Sequence, residues 1–210
     1  MRTLLHVSAS PRGGISHSRR IAAELIAHWK ILHPGLLIID RDVAACPLPH
    51  PTADFAAASV AAEETRTPND RDALATSDLL IGELVHADAL LISTPMHNFT
   101  IPSALKAWID HIARPGRTFR STALGKQGLL RDRPVRIVLA CGGSITPGTG
   151  HQEDWASPYL RYVFDVLGMT KVDVLVLENC NRSKTTAGSG KPNAEMAERL
   201  WQFASVGLDN

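Results

Sequence analysis

Short apolar runs alternate with amphipathic segments along this chain, and this alternation is the feature that most constrains its fold. The runs are nearly continuous and cover residues 4–7, 36–39, 89–92, 135–140 and 172–177. Such runs are typical of strands that are buried on both faces of a parallel sheet. Between them, apolar residues recur at spacings of three and four, which predicts helices at residues 18–33, 73–85, 105–112, 159–167 and 194–204.

Alternating strands and helices predict an α/β fold, because two neighbouring parallel strands need a right-handed crossover between them. For five strands we expect a flavodoxin-like parallel sheet in the order 2-1-3-4-5, with helices on both faces. The sequence contains no internal repeat and no domain boundary, so residues 1–210 are expected to form a single domain. Residues 44–69 and 180–192 are expected to be long loops, because they are rich in Ala and Pro or in small polar residues.

Composition and charge narrow the class of protein. With 44% hydrophobic and 20% charged residues, the chain has the composition of an ordinary globular protein. A net charge of +1 gives no electrostatic case for a nucleic-acid partner, and no apolar run reaches the roughly 18 residues of a membrane span. The three cysteines are widely spaced, and no metal-binding motif is visible. We therefore expect a cytoplasmic protein without a metal site.

The first predicted strand leads into a loop that is rich in hydroxyl groups. Ser10, Ser16 and Ser18 surround the pair Gly13-Gly14, and the first helix follows directly. Free backbone N–H groups and the dipole at a helix N-terminus favour an anion. The loop has neither the lysine of a P-loop nor a G-x-G-x-x-G pattern, which favours a terminal monophosphate over ATP or a dinucleotide. The alternative is that Ser16 or Ser18 only caps the helix.

The third predicted strand is followed by an unusual loop that contains Pro95-Met96-His97-Asn98-Phe99 and then Pro102. Prolines stiffen a loop and remove backbone donors. Met, His, Asn and Phe side chains together could form a platform for a flat ligand. In the alternative interpretation, Met96 and Phe99 simply cap the hydrophobic core.

The fourth predicted strand ends in Gly142 and Gly143. In the order 2-1-3-4-5, the loops after strands one, three and four open at the same edge of the sheet, and strands one and three straddle its switch point. The backbone N–H groups of the glycine pair would then face the edge of a ring held by residues 96–99. Taken in isolation, the glycine pair is also compatible with a plain tight turn.

On these residues the chain resembles the FMN-dependent NADH-azoreductases, a flavodoxin-like family of NAD(P)H:quinone oxidoreductases. The loop with Ser10 and Ser16-His17-Ser18 resembles the phosphate loop of that family, and Pro95-Met96-His97-Asn98-Phe99 resembles its Pro-Met-Tyr-Asn-Phe flavin loop. Residues 140–143 stand where the family has Ser/Thr-Arg-Gly-Gly. The resemblance implies that FMN contacts Ser10, Ser16, His17, Ser18, Pro95, Met96, His97, Asn98, Phe99, Gly142 and Gly143.

The same resemblance implies the chemistry. FMN would be held non-covalently, NADH or NADPH would donate electrons, and a quinone or azo compound would accept them in a ping-pong cycle. Members of the family are homodimers, so a homodimer is expected here. No catalytic triad is needed, and none is visible in the sequence.

Three residues depart from the family pattern. His97 stands in place of Tyr, Cys141 in place of Arg, and Ala140 in place of a hydroxyl residue. An imidazole beside a flavin could tune the rate and its pH dependence, since histidine titrates near neutrality. His97 is therefore the one candidate catalytic residue; in the alternative, it packs as Tyr would and only holds the loop.

Two other functions remain open from the sequence. The chain could be a flavodoxin-type FMN electron carrier without a small-molecule substrate, although such carriers are usually smaller and strongly acidic. It could also be a flavin-free binding module that has lost the family's activity, an interpretation that rests only on the missing Arg and Tyr. Uptake of FMN and oxidation of NADH by a quinone would distinguish the three.

Overall fold

We analysed a computed structural model of the chain, which describes residues 1–148, 150–181 and 194–205; within the last segment, the side chains of residues 194–197, 201 and 205 are not described. Strands and helices alternate along the described residues as the apolar pattern predicts. The strands are β1 (Thr3–Ser8), β2 (Leu37–Asp42), β3 (Ala89–Pro95), β4 (Phe119–Thr122), β5 (Gly125–Gly128), β6 (Val135–Ala140) and β7 (Val172–Leu177). The helices are α1 (His17–Leu32), α2 (Ala53–Val60), α3 (Pro68–His86), α4 (Ser103–Ile112), α5 (Ala156–Leu167) and α6 (Ala194–Ser205).

Five parallel strands form the main sheet in the order β2-β1-β3-β6-β7. Because β4 and β5 form a separate hairpin, this is the predicted order 2-1-3-4-5, and the predicted fold class is confirmed. Strand β6 is fully buried, and six of the seven residues of β3 are buried. Burial on both faces is typical of the central strands of a parallel sheet.

Helices cover both faces of the sheet. On one face, α3, α4 and α5 bury a cluster that includes Leu80, Trp108 and Phe164. On the other face, α1 packs Ile21, Leu25 and Trp29 against the sheet, next to the apolar residues of α6. The indole N–H of Trp29 donates to the carbonyl oxygen of Ala204 at 3.1 Å and fastens α1 to α6.

The second strand is longer than predicted and begins one residue later. The apolar run at residues 36–39 predicted its position, but the strand continues through Asp40, Arg41 and Asp42. Strand β2 is an edge strand and none of its residues is fully buried, so polar side chains are accommodated there.

The prediction that residues 44–69 form only a loop is wrong. They contain the short helix α2 and a 3₁₀ turn at Glu63–Thr65, and α3 begins at Pro68. The start of α3 is a capping box: the Thr67 hydroxyl accepts from the N–H of Asp70, and the Asp70 carboxylate accepts from the N–H of Thr67. Proline at the first helical position completes this signal.

The hairpin β4–β5 was not predicted, because its residues are mostly polar and exposed. The predicted loop at residues 180–192 lies outside the described residues except for Cys180 and Asn181. Among the described helices, none is long and apolar enough to cross a membrane.

Candidate functional site

The carboxyl ends of β1, β3 and β6 meet at one edge of the sheet. The N–H of Ala9 donates to the carbonyl oxygen of Ser93 at 2.9 Å, and the N–H of Met96 donates to that of Ala140 at 2.8 Å. The three loops predicted to form a site therefore begin side by side. The strand order reverses between β1 and β3, which is where ligands bind in open α/β sheets.

The loop after β1 holds its three serines inside the protein. Ser10, Ser16 and Ser18 are all buried. The Ser16 hydroxyl accepts from the N–H of Arg19 at 3.4 Å and caps α1, as predicted for one of the two serines, and the Ser16 and Ser18 oxygens are 3.2 Å apart. The N–H groups of His17 and Ser18 make no hydrogen bond to any described residue, so the capping leaves donors available at this helix end.

Positive charge surrounds this helix end. The pKa of His17 is lowered by its partial burial and by the neighbouring charges of Arg20 and Arg12. Neither arginine forms an ion pair with a carboxylate in the part of the chain that the structure describes. Unpaired guanidinium groups beside a helix N-terminus make a site that favours an anion.

Arg19 holds the loop after β1 through hydrogen bonds, a role that no sequence motif indicated. Its guanidinium donates two hydrogen bonds to the Asp42 carboxylate, at 2.6 and 2.7 Å, and also reaches the carbonyl oxygen of Ser10 at 2.7 Å. Chiefly through the hydrogen bonds from Arg19, the pKa of Asp42 falls to about 2. The ion pair joins β2 to α1 and fixes the backbone at Ser10.

The loop after β3 contains a two-residue turn with an unusual backbone. His97 and Thr100 exchange two hydrogen bonds, with N to O distances of 2.9 and 3.0 Å, and enclose Asn98 and Phe99. These two residues have φ angles of 48° and 70°. Asn tolerates this left-handed region, but a bulky residue such as Phe adopts it at a cost of about 1–3 kcal/mol, and such strain clusters at functional sites.

The same turn presents its side chains and donors outward. His97 and Asn98 are exposed, Phe99 is 54% exposed, and Pro95 and Met96 are half-buried. No described residue accepts a hydrogen bond from the N–H groups of Asn98 and Phe99. The alternative that Met96 and Phe99 only cap the hydrophobic core holds for Met96, which packs against it. It does not hold for Phe99.

Two side-chain amides cover the glycine pair after β6. A side chain at position 142 would overlap the amide of Asn181, and a Cβ atom at position 143 would lie 3.2 Å from Oε1 of Gln152. The Asn181 and Asn179 N–H groups also donate to the carbonyl oxygens of Gly142 and Gly143. The glycine N–H groups have no hydrogen-bond partner among the described residues, which leaves them available to a ligand.

Cys141 is structural rather than reactive. It is buried, and this burial raises the pKa of its thiol to about 11. Beyond it, Glu178 accepts hydrogen bonds from the hydroxyls of Ser144 and Thr146, at 2.5 and 2.7 Å. Burial by itself would raise the pKa of Glu178, but these hydrogen bonds outweigh it and lower the pKa. The ionised carboxylate thus anchors the loop after the glycine pair.

Similarity to known proteins identifies the family of this chain. The flavodoxin-like fold family matches residues 2–200. An FMN-dependent NADH:quinone oxidoreductase of Cupriavidus pinatubonensis is 52% identical over 190 residues, which cover 90% of this chain and 92% of that protein. The chain belongs to the FMN-dependent NADH:quinone oxidoreductase family. A second member, from Burkholderia lata, is 47% identical over 85% of both chains.

Solved structures connect this quinone oxidoreductase family to the azoreductases. The azoreductase from Bacillus anthracis strain Sterne superposes with a TM-score of 0.82 at 25% identity and covers 98% of both chains. The crystal structure of azoreductase AzrA superposes with the same TM-score at 26% identity. The resemblance predicted from the sequence is confirmed, and so is the prediction that the chain is an enzyme of this class.

One further cluster, His6 with Asp40 and Ser93, has the arrangement of a different class of enzyme. His6 contacts the Asp40 carboxylate through Nδ1 at 2.9 Å and the Ser93 hydroxyl through Nε2 at 3.0 Å, the connectivity of a Ser-His-Asp hydrolase. Ser93, however, is completely buried, so no substrate can reach its oxygen. In this quinone oxidoreductase family member, the three side chains serve to tie β2, β1 and β3 together.

Among the described residues no group of three or more possible ligands could hold a metal ion.

Proposed function

We propose that this chain binds FMN non-covalently and transfers electrons from NADH or NADPH to quinones or azo compounds by a ping-pong mechanism. The observation that carries the proposal is the set of main-chain donors at one edge of the sheet that have no hydrogen-bond partner among the described residues. They belong to His17, Ser18, Asn98, Phe99, Gly142 and Gly143. FMN fits them because it has an anionic phosphate at one end and a ring with carbonyl and nitrogen acceptors at the other.

The phosphate would lie in the loop after β1. Ser10, Ser16 and Ser18 supply hydroxyls there, and the N–H groups of His17 and Ser18 point out of the helix end. Arg12 and Arg20 supply positive charge that no described carboxylate neutralises. A phosphate dianion balances these charges, which is why a phosphorylated flavin fits better than an uncharged one.

The ring would lie between the other two loops. Residues 95–99 would form one wall, and the N–H groups of Gly142 and Gly143 would donate to the ring from the other side. The strained turn at Asn98 and Phe99 favours this assignment, since such strain clusters at functional sites and the two N–H groups have no acceptor among the described residues.

FMN, when bound, supplies the hydride chemistry and accepts and donates two electrons. The chain's residues hold and orient it. His97 is exposed beside the proposed ring site, and we propose that its imidazole tunes the rate and pH dependence rather than binding. The rings of Phe99 and Trp155 are exposed, and a 3.0 Å hydrogen bond from the main-chain N–H of Trp155 to the Phe99 carbonyl oxygen joins their backbones. These two rings would offer a surface for a flat acceptor.

We also propose that the chain forms a homodimer. A homodimer would cover exposed apolar side chains such as Trp155 and Tyr162, which are 61% and 66% exposed. The single domain at residues 1–210, the cytoplasmic location and the absence of nucleic-acid partners stay predictions.

The test is FMN titration followed by steady-state kinetics with NADH or NADPH and either a small quinone or an azo dye. We expect FMN to bind. With FMN bound, we expect double-reciprocal plots for the donor at several acceptor concentrations to be parallel, the pattern of a ping-pong mechanism. Replacing both Arg12 and Arg20 by Gln should raise the FMN Kd at least tenfold, whereas Arg71→Gln on the exposed face of α3 should not. Binding of FMN without NADH oxidation by any acceptor would favour the electron carrier instead.

A further inference from the structure

Gln152 lies between the two loops that we expect to flank the flavin ring, and no motif in the sequence pointed to it. Its side-chain Nε2 donates to the Met96 sulfur at 3.1 Å. Its main-chain N–H donates to the carbonyl oxygen of Ser144 at 2.8 Å. One residue therefore contacts the loop after β3 through its side chain and the loop after β6 through its backbone.

The other end of the Gln152 amide lies against Gly143. Its Oε1 is so close to Gly143 that a Cβ atom there would approach it to 3.2 Å, which is tighter than an ordinary contact. Three residues later, the N–H of Trp155 donates to the carbonyl oxygen of Phe99 at 3.0 Å. The segment 152–155 thus fastens both loops from the same side.

No other described contact of this kind spans the gap. The hydrogen bond from the Met96 N–H to Ala140 joins the loops only at their base, where the strands end. Beyond it, no hydrogen bond directly joins residues 97–102 to residues 142–146 among the described residues. The two loops are consequently linked through segment 152–155, in which Trp155 contacts only the loop after β3 and Gln152 contacts both loops.

We propose that Gln152 is a positioning residue that sets the separation between the Met96–Phe99 loop and the Gly142–Gly143 pair, and thereby the affinity for the flavin. The proposal rests on the function proposed above. An amide suits this role because it is planar and rigid, with a donor at one side and an acceptor at the other. The hydrogen bond to the Met96 sulfur is weak by itself, so the effect depends on both contacts acting together.

Two substitutions separate the amide from simple packing. Gln152→Leu keeps most of the side-chain volume but removes the donor and acceptor, and Gln152→Asn keeps the amide but shortens it by one methylene group. We expect both to raise the FMN Kd about three- to tenfold, measured by quenching of flavin fluorescence. Gln202→Leu, on an exposed position of α6, is the matched control and should leave the Kd unchanged.

A double-mutant cycle with Met96→Leu tests whether Gln152 acts through Met96. If it does, the combined effect on the Kd will be smaller than the product of the single effects. Equal FMN affinity of wild type and both Gln152 variants, within twofold, would overturn the proposal. So would an equal loss in the Gln202 control, since that would indicate general destabilisation.

Hydrogen exchange of the apoprotein gives a readout that does not depend on the flavin. In Gln152→Leu, we expect at least tenfold faster exchange at the N–H groups of Thr100 and Trp155, and no change at Ala9 on the neighbouring strand end. A wild-type protein that fails to bind FMN would refute the proposed function, and the exchange rates would still decide whether Gln152 holds the loops. Unchanged exchange in Gln152→Leu would refute the positioning role whether or not FMN binds.

Discussion

At the scale of single residues, the loop after β1 depends on an ion pair outside it. The two parallel hydrogen bonds between Arg19 and Asp42 form a fork, the strongest geometry for such a pair, and both side chains are about a quarter exposed. The same guanidinium holds the carbonyl oxygen of Ser10. Loss of the carboxylate would therefore affect both folding stability and the position of the loop.

We predict that Asp42→Asn lowers the free energy of unfolding by on the order of 1–2 kcal/mol at pH 7, after allowing for solvent screening. The Asp42 pKa of about 2 is below its unfolded value, so the ionised carboxylate stabilises the fold above about pH 4. The difference between wild type and variant should shrink as pH falls from about 4 towards 2. Urea denaturation over this range measures it, with the exposed Asp72→Asn as control; a difference independent of pH would contradict the assignment.

His97 is the residue at which this chain departs most clearly from its family pattern. Its backbone closes the turn, but its side chain is exposed. The charge of an imidazole changes between about pH 5 and 8, and that of a phenol does not. We predict that His97→Tyr flattens the dependence of kcat on pH in this range and leaves the FMN Kd within twofold of wild type. Identical pH profiles would show that His97 only holds the loop; His50→Tyr is the matched control.

At the scale of elements, the hairpin β4–β5 is attached to the end of α5 by close backbone contact. A side chain at Gly128 would overlap the main chain of Leu167 and Gly168. The N–H of Leu130 also donates to the carbonyl oxygen of Leu167 at 3.1 Å. The hairpin and the end of α5 therefore cannot move independently of each other.

Gly128→Ala is accordingly predicted to destabilise the protein by about 3 kcal/mol, the upper range for overpacking, because backbone atoms cannot rotate away as side chains do. Gly82→Ala supplies the contrast: it lies in α3 with no atom within 4 Å of its Cβ position, so it should stabilise by up to about 1 kcal/mol. Urea unfolding of the two variants compares them directly. Equal stabilities for both would mean that the hairpin is not attached there.

The elements also show where sequence patterns succeed and fail. Strands β3 and β6 are buried on both faces, so their apolar runs predicted them well, whereas the polar residues 40–42 of the edge strand β2 gave no such signal. The hairpin and α2 escaped prediction because one is polar and the other is a short alanine-rich segment between loops. The local signature Thr67-Pro68 followed by Asp70, in contrast, was available in the sequence.

At the scale of the whole molecule, the sheet order brings together residues that no local pattern connects. The three loops of the site were predictable, because strands one, three and four must open at one edge. The residues that hold the loops were not: Arg19 and Asp42 are 23 residues apart, and Met96 and Gln152 are 56 apart. Such contacts follow from the packing of a particular backbone, and a single sequence does not encode them in any spacing.

FMN should stabilise this protein through two separable contributions, one from its ring and one from its phosphate. At a free FMN concentration of 100 times Kd, binding to the folded state alone adds about 2.7 kcal/mol, which for a chain of this size corresponds to a rise in Tm of roughly 5–11 °C. Riboflavin has the same ring but no phosphate, so at equal concentration it should give a much smaller rise. The difference between the two ligands should disappear when Arg12 and Arg20 are both replaced by Gln, because the cationic helix end then no longer distinguishes them. Equal shifts for FMN and riboflavin in the wild-type protein would place the phosphate outside the loop after β1.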